Sequence, residues 1–235
     1  MNLLSKWPAS RISAAGVALL VALTCAGGCG APETDGAGTI RSGLGLPAPK
    51  RSGGSPLNEV LSRRRSRRDF TSSEPTSEQL SQMLWAAQGI TDRKKGFRTA
   101  PSAGALYPLD IYVLRERVLQ HYVPDSHSLE QVSQGVDAGE LAEAALGQMS
   151  LAAAPSVFVI TGDFQKTRSK YGDRAERYVY MEAGHVAQNL LLEATALGLG
   201  AVPVGAFDDA RVKSILKLPA ERDPLYLIPV GHPAD

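Results

Sequence analysis

Between Arg63 and Arg68 the chain places five arginines around one serine, followed by Asp69 and Phe70. A phosphate dianion asks for planar, permanently charged forks and a hydroxyl donor, and Arg64, Arg65, Ser66 and Arg68 supply both. The same composition also suits a solvated basic face or a nucleic-acid patch. A second segment, Ala100-Pro101-Ser102-Ala103-Gly104-Ala105-Leu106-Tyr107-Pro108, is built of small residues around a glycine. Such a run lets backbone amides come close to a flat ligand, although alone it is merely a turn. A third segment runs from Gly198 to Asp208 (GLGAVPVGAFD), with Pro203, Val204, Gly205 and Ala206 at its turn. It delivers a strand into a capped helix and again offers amides to a ligand; in isolation it reads equally well as an ordinary loop.

Other chemistries lack their signatures. No GxGxxG follows a strand, and no P-loop, HExxH or nucleophile elbow occurs. His121, His127, His185 and His232 are scattered without metal-ligand spacing, so no metal site is expected. His185 falls in an apolar helix and is expected to be a satisfied core residue. A formal net charge of +1 gives no electrostatic case for nucleic acid as partner. At 43% hydrophobic and 21% charged residues, the balance is that of a soluble globular domain.

The elements that must hold these segments alternate between helix and strand. Leu57, Val60 and Leu61 lie at helical spacing just before the arginines. Thr76-Ser77-Glu78-Gln79 is a capping box opening a helix with Leu80, Met83, Leu84 and Ala87 on one face, ended by Gly89. Leu109 to Leu114 alternates like a strand, with Leu119 to Val123 as a hairpin neighbour. Leu141 to Met149 reads as helix, and Val157 to Ile160 as a central strand. Arg174 to Leu197 is a long helix that turns apolar on nearly all sides after Tyr180, which predicts burial. Asp208 caps a short helix through Lys217, and Leu225 to Val230 closes with a strand. Mixed order without a βαβ repeat predicts an α+β fold.

The N-terminus has a different grammar. Lys6 and Arg11 precede an uncharged apolar run from Ala14 to Leu23, and Thr24-Cys25-Ala26-Gly27-Gly28-Cys29 follows with small residues. This predicts a secretory signal over residues 1–29. The Gly28-Cys29 ending resembles a bacterial lipobox, with Cys29 as the lipidated residue; a plain cleaved signal and an uncleaved anchor remain open. Positive charge before the apolar run puts the domain on the exported side, so the protein is expected to be membrane-tethered through its N-terminus alone, on the periplasmic or cell-surface side. Both cysteines lie here, leaving the domain without a disulfide or a catalytic thiol. Residues 30–55, rich in Gly, Pro, Ala and Ser, read as a flexible linker to a domain spanning 56–235.

Taken together, the R-R-S-x-R-x-F opening at Arg64, the A-P-S-A-G turn, the E-A-G-H-x-x-Q-N run at Glu182 to Asn189 and the P-V-G-A-F-D turn resemble the nitroreductase superfamily, in its order and over nearly everything from Pro56 to His232. A-P-S-A-G-A-L-Y-P with Lys170-Tyr171-Gly172 is similar to the SagB-type branch, FMN-dependent azoline dehydrogenases of thiazole- and oxazole-forming peptide biosynthesis. The resemblance implies a sheet flanked by helices and a homodimer with FMN at the subunit interface. Arg64, Arg65, Ser66 and Arg68 would hold the phosphate and ribityl chain. Pro101, Ser102, Ala103 and Gly104 would line the ring, and Pro203, Val204, Gly205 and Ala206 would bring a backbone amide to it. Lys170 or Tyr171 would take a proton from a substrate carbon as hydride departs. NAD(P)H or O2 would be the redox partner of an otherwise unknown small or peptide substrate. Two alternatives stand beside this: an NAD(P)H-dependent nitro- or quinone-reductase, and a non-catalytic flavin-binding protein on a membrane surface. Ala105 stands where many relatives carry a ring-contacting Asn, and the chain has no late basic residue for the phosphate, a role open to the surplus arginines or Arg168.

Overall fold

A computed structural model describes residues 43–234. The expected signal segment and Cys29 lie outside those residues, as does the first half of the expected linker, residues 30–42. Among the described residues no helix is long and apolar enough to cross a membrane.

The chain opens with strand β1 (Leu44–Gly45), then helices α1 (Leu57–Arg63) and α2 (Ser77–Gln88), and a small hairpin of β2 (Ile90–Asp92) and β3 (Phe97–Arg98). After the A-P-S-A-G turn come β4 (Leu109–Arg115), β5 (Val118–Val123) and β6 (Ser128–Gln134), then α3 (Ala138–Ala144) and α4 (Ser150–Ala153). The remainder is β7 (Ser156–Gly162), α5 (Phe164–Tyr171), α6 (Ala175–Ala196), β8 (Gly200–Ala201), α7 (Asp209–Leu216) and β9 (Asp223–Gly231). Seven strands form one sheet in the order β1-β6-β5-β4-β7-β9-β8. Every strand pair in it is antiparallel. The α+β expectation holds, with the sheet covered on both faces.

β7 is buried along its whole length because it lies between β4 and β9 and alternates between two cores. Phe158 and Ile160 pack with α2 and α6 on one face, while Val157 and Val159 pack with α3 and α7 on the other. The Thr76 capping box forms as expected: its hydroxyl accepts from Gln79 N–H at 3.2 Å and the Gln79 side-chain Oε1 accepts from Thr76 N–H at 2.9 Å. Gly89 ends α2 through space rather than handedness, since a Cβ there would lie 2.1 Å from the Trp85 ring.

Three readings change. The helix expected over 141–149 stops at Ala144, because Leu146 and Gly147 both take positive φ. The stretch expected to be linker up to residue 55 is tied down in its described part: β1 pairs with β6, Leu46 packs on the core, and Lys50 N–H donates to Gln82 Oε1 at 2.8 Å. His185 is exposed on α6, not in the core. It belongs to an uncovered face that includes Tyr180 and Met181, 58% and 48% exposed.

Candidate functional site

The arginine segment follows α1 as an extended run laid against the edge of the sheet. Ser66 bridges Ala201 of β8, and Arg67 N–H donates to the Ala201 carbonyl at 3.1 Å. Gly200 is required here, because a Cβ would meet the Arg67 Cβ at 2.9 Å. Arg65 Nη1 donates to the carbonyls of Ser62 and Arg64 at 2.9 and 2.8 Å. Among the described residues no carboxylate pairs with Arg64, Arg65, Arg67 or Arg68. That is an uncompensated cationic string, and it rests beside the turn it was expected to join.

Beyond β8 the chain runs back along β9, with Val204 exchanging hydrogen bonds with Leu227 at 2.9 and 3.0 Å. Gly205 and Ala206 then stand exposed, and their N–H groups have no partner among the described residues. Asp208 caps α7 by accepting from Arg211 N–H at 3.0 Å, which fixes where the turn ends. Gln148 was not singled out from sequence. Its Nε2 donates to the Ala206 carbonyl at 3.2 Å, and it lines a cleft of about 320 Å³ with Arg68, Met149 and Ser150. The tight left-handed loop at Leu146 and Gly147 brings it there.

The A-P-S-A-G turn forms the second group. Gly104 takes φ +62°, and a Cβ on it would lie 2.7 Å from both Lys170 Nζ and Tyr171 Oη. Lys170 and Tyr171 thus converge on the bare glycine from the last turn of α5. Tyr171 stacks edge-on against Tyr178, with centroids 5.1 Å apart. The N–H groups of Ser102, Ala103 and Gly104 have no partner among the described residues, while Ser102 Oγ accepts from Tyr107 N–H at 2.8 Å. The turn is held from below: Lys166 Nζ donates to the Tyr107 carbonyl at 3.1 Å, and the Arg98 guanidinium lies 4.6 Å over the Tyr107 ring. Arg222 ties the adjoining strand ends together, pairing with Asp110 and, at 2.9 Å, with Asp163.

Beneath this turn sits Glu182 of α6, 3% exposed. Burial pushes its pKa up to about 7, against the pull of Ser102, Arg98, Gln88 and Lys166. Arg168, at the last turn of α5, pairs with Glu176 at 3.2 Å on the exposed surface.

The two groups are far apart within one protomer. Leu109 follows the A-P-S-A-G turn and pairs with Gly162, whereas Ala201, which holds Ser66, pairs with Val230 opposite Ser156. Six residue steps along β7 and three strand spacings separate them, roughly 25 Å by ordinary sheet dimensions. One ring cannot lie on both in the same chain.

Comparison with known proteins bears on both groups. The sequence pattern of the nitroreductase family matches residues 61–232. A Methanocaldococcus jannaschii protein bearing a nitroreductase name is 49% identical over 182 residues, 75% of this chain and 90% of the relative. A solved Ralstonia eutropha JMP134 structure, also bearing a nitroreductase name, has a TM-score of 0.75 at 29% identity, covering 82% of this chain and 90% of the other. The Vibrio harveyi NADPH:FMN oxidoreductase complexed with NAD+ has a TM-score of 0.57 at 24% identity over 76% and 69% of the two chains, a likeness of fold. Since the family pattern spans the arginine segment, both turns and the closing strand, this chain belongs to the nitroreductase family.

Proposed function

We propose that the protein is an FMN-dependent oxidoreductase of SagB type that moves two electrons between flavin and a small or peptide substrate. The observation that carries this is the pairing of an uncompensated arginine string with two turns whose backbone N–H groups are unused. Those donors fit the cofactor. Arg64, Arg65, Ser66 and Arg68 would take its phosphate and ribityl chain, and the free amides at 102–104 and 205–206 would face acceptors on the ring rim. When bound, FMN supplies the hydride acceptor and donor. Lys170 and Tyr171, converging on Gly104, would remove the proton from a substrate carbon.

The separation of the half-sites supports a homodimer in which one protomer supplies the arginines and the other the A-P-S-A-G turn. The uncovered face of α6 fits that assembly: Tyr180, Met181 and His185 stand in the open, Gly184 among them meets nothing, and Leu57 and Leu61 of α1 are exposed. A second reading, a nitroreductase fed by NAD(P)H, is favoured by the name of the 49% identical relative. Export and tethering through Cys29 belong to the proposal as well, and Cys29→Ser should release the protein from membranes.

The full chain should purify with, or take up, a flavin that gives the visible bands of oxidised FMN; a chain that binds none refutes the proposal. NADH-driven turnover of a nitroaromatic without Lys170 or Tyr171 favours the nitroreductase reading. A bound flavin that no nicotinamide, nitro or azoline compound reduces or reoxidises indicates a non-catalytic flavin protein. For SagB-type chemistry, Lys170→Ala and Tyr171→Phe should keep bound FMN and lose ~10²–10⁴-fold in dehydrogenation, the usual range for positioned acid–base groups.

A further inference from the structure

Glu182 is the single buried acidic side chain among the described residues. Its carboxyl faces the Ser102 hydroxyl of the A-P-S-A-G turn and the Gln88 amide of α2, with Arg98 of β3 and Lys166 of α5 as the nearest charges. Neither cation pairs with it. Arg98 Nη1 donates to Gln88 Oε1 at 2.9 Å, and Lys166 Nζ donates to the Tyr107 carbonyl at 3.1 Å. Glu182 Oε1 and Gln88 Nε2 are both buried without a hydrogen-bond partner. An acid so placed is stable only if a proton or a reoriented neighbour completes it.

Ser102 is that neighbour. Its Oγ already accepts the Tyr107 N–H at 2.8 Å, which leaves one lone pair and one O–H. Against an ionised Glu182 the Ser102 O–H must turn inward and donate to the carboxylate. Against a protonated Glu182 the carboxyl O–H donates to Ser102 Oγ, and the serine proton is free to point out over Ala103 and Gly104. We infer that Glu182 is a positioning residue that acts through Ser102: its proton decides whether that hydroxyl donates into the protein or toward the ligand on the turn. The inference rests on the cofactor reading above insofar as that ligand is FMN. Burial holds the switching point near neutrality, at about 7. Glutamine at 182 keeps a donor toward Ser102 at every pH and imitates the protonated form.

FMN titration of the full chain by flavin fluorescence, from about pH 5 to about pH 9, tests the inference. The parent should lose affinity as pH rises through neutrality, by up to about tenfold for one hydrogen bond. Glu182→Gln should show no loss of affinity through neutrality, and Ser102→Ala should bind weakly with no such loss. The second ionisation of the FMN phosphate, at about pH 6, adds a gain with rising pH that all three proteins share. A loss through neutrality that survives in either variant overturns the inference. Absence of FMN binding at every pH overturns the cofactor reading instead. The proton itself is then read without flavin: an infrared carboxylic-acid band that titrates away near neutrality in the parent and is missing from Glu182→Gln supports the switch. A parent lacking that band overturns it.

Discussion

Replacing Glu182 with glutamine should make the fold less sensitive to alkaline pH, and the structure sets the size of the effect. The folded-state pKa is raised from 4.5 to about 7, chiefly by burial. A raised carboxyl pKa means that the folded state holds its proton more tightly than the unfolded chain. The associated stability is fully present below about pH 4.5 and is lost as pH rises through about 7. Each tenfold difference in proton affinity is worth ~1.4 kcal/mol, so the loss is about 3 kcal/mol at most, since Ser102 can donate to the anion and soften it. Glutamine has no proton to lose, so its advantage over the parent should grow from near zero in acid to at most about 3 kcal/mol above neutrality. Urea unfolding of the flavin-free protein, at fixed protein concentration and at both ends of that range, measures the difference directly. A Glu182→Gln effect of the same size at acid and alkaline pH would falsify the argument, because a packing or shape effect has no reason to titrate.

Arg64→Ala or Arg68→Ala should weaken FMN binding by roughly ten- to hundredfold, the value of one charge-assisted fork, and unchanged affinity in both would return the arginines to a solvated face. Gly104→Ala combines a positive φ with a methyl 2.7 Å from Lys170 Nζ and Tyr171 Oη. It should cost about 1 kcal/mol in stability and displace both side chains, with turnover falling more than FMN affinity; parent-like turnover would mean that the convergence has no role. Met181→Asp on the open face of α6 should shift the protein to monomer and lower FMN affinity with it, and light scattering that still shows a dimer would place the interface elsewhere.

What the sequence made legible was whatever depends on local chemistry. The capping box at Thr76, the Asp208 cap and the arginine string are fixed by neighbouring residues, and each stands where the pattern put it. β6 escaped notice because Ser-Leu-Glu-Gln-Val-Ser-Gln buries only its first two residues; it is a strand through pairing with β5 and β1, not through alternation. Gln148 was hidden for a related reason, since a left-handed Leu146 breaks what reads as one continuous helix and turns the next residues toward Ala206. Glu182 carried a signal that could have been followed: it is an acid inside an apolar helical run, and such a residue needs a partner. His185 misled because an apolar stripe on a helix looks the same whether its own domain covers it or nothing in the chain does.

That last ambiguity bears on function. Tyr180 and Met181 lie on the helix that also carries Glu182, so one face of α6 is open while the neighbouring face supports the A-P-S-A-G turn. If the open face is closed by a second copy, the roughly 25 Å between the half-sites is bridged across the interface rather than within a chain. Flavin binding and dimerisation are then one equilibrium. A ligand that binds only the dimer stabilises it by about 2.7 kcal/mol at a hundredfold excess over its dissociation constant, and dissociation releases the ligand in turn. Confinement to a membrane through Cys29 would raise the effective concentration of protomers and favour the flavin-loaded state without any new contact. On that reading the arginines would be only half of a cofactor site, and the uncovered face of α6 would bear on flavin binding as much as the residues that would touch the phosphate.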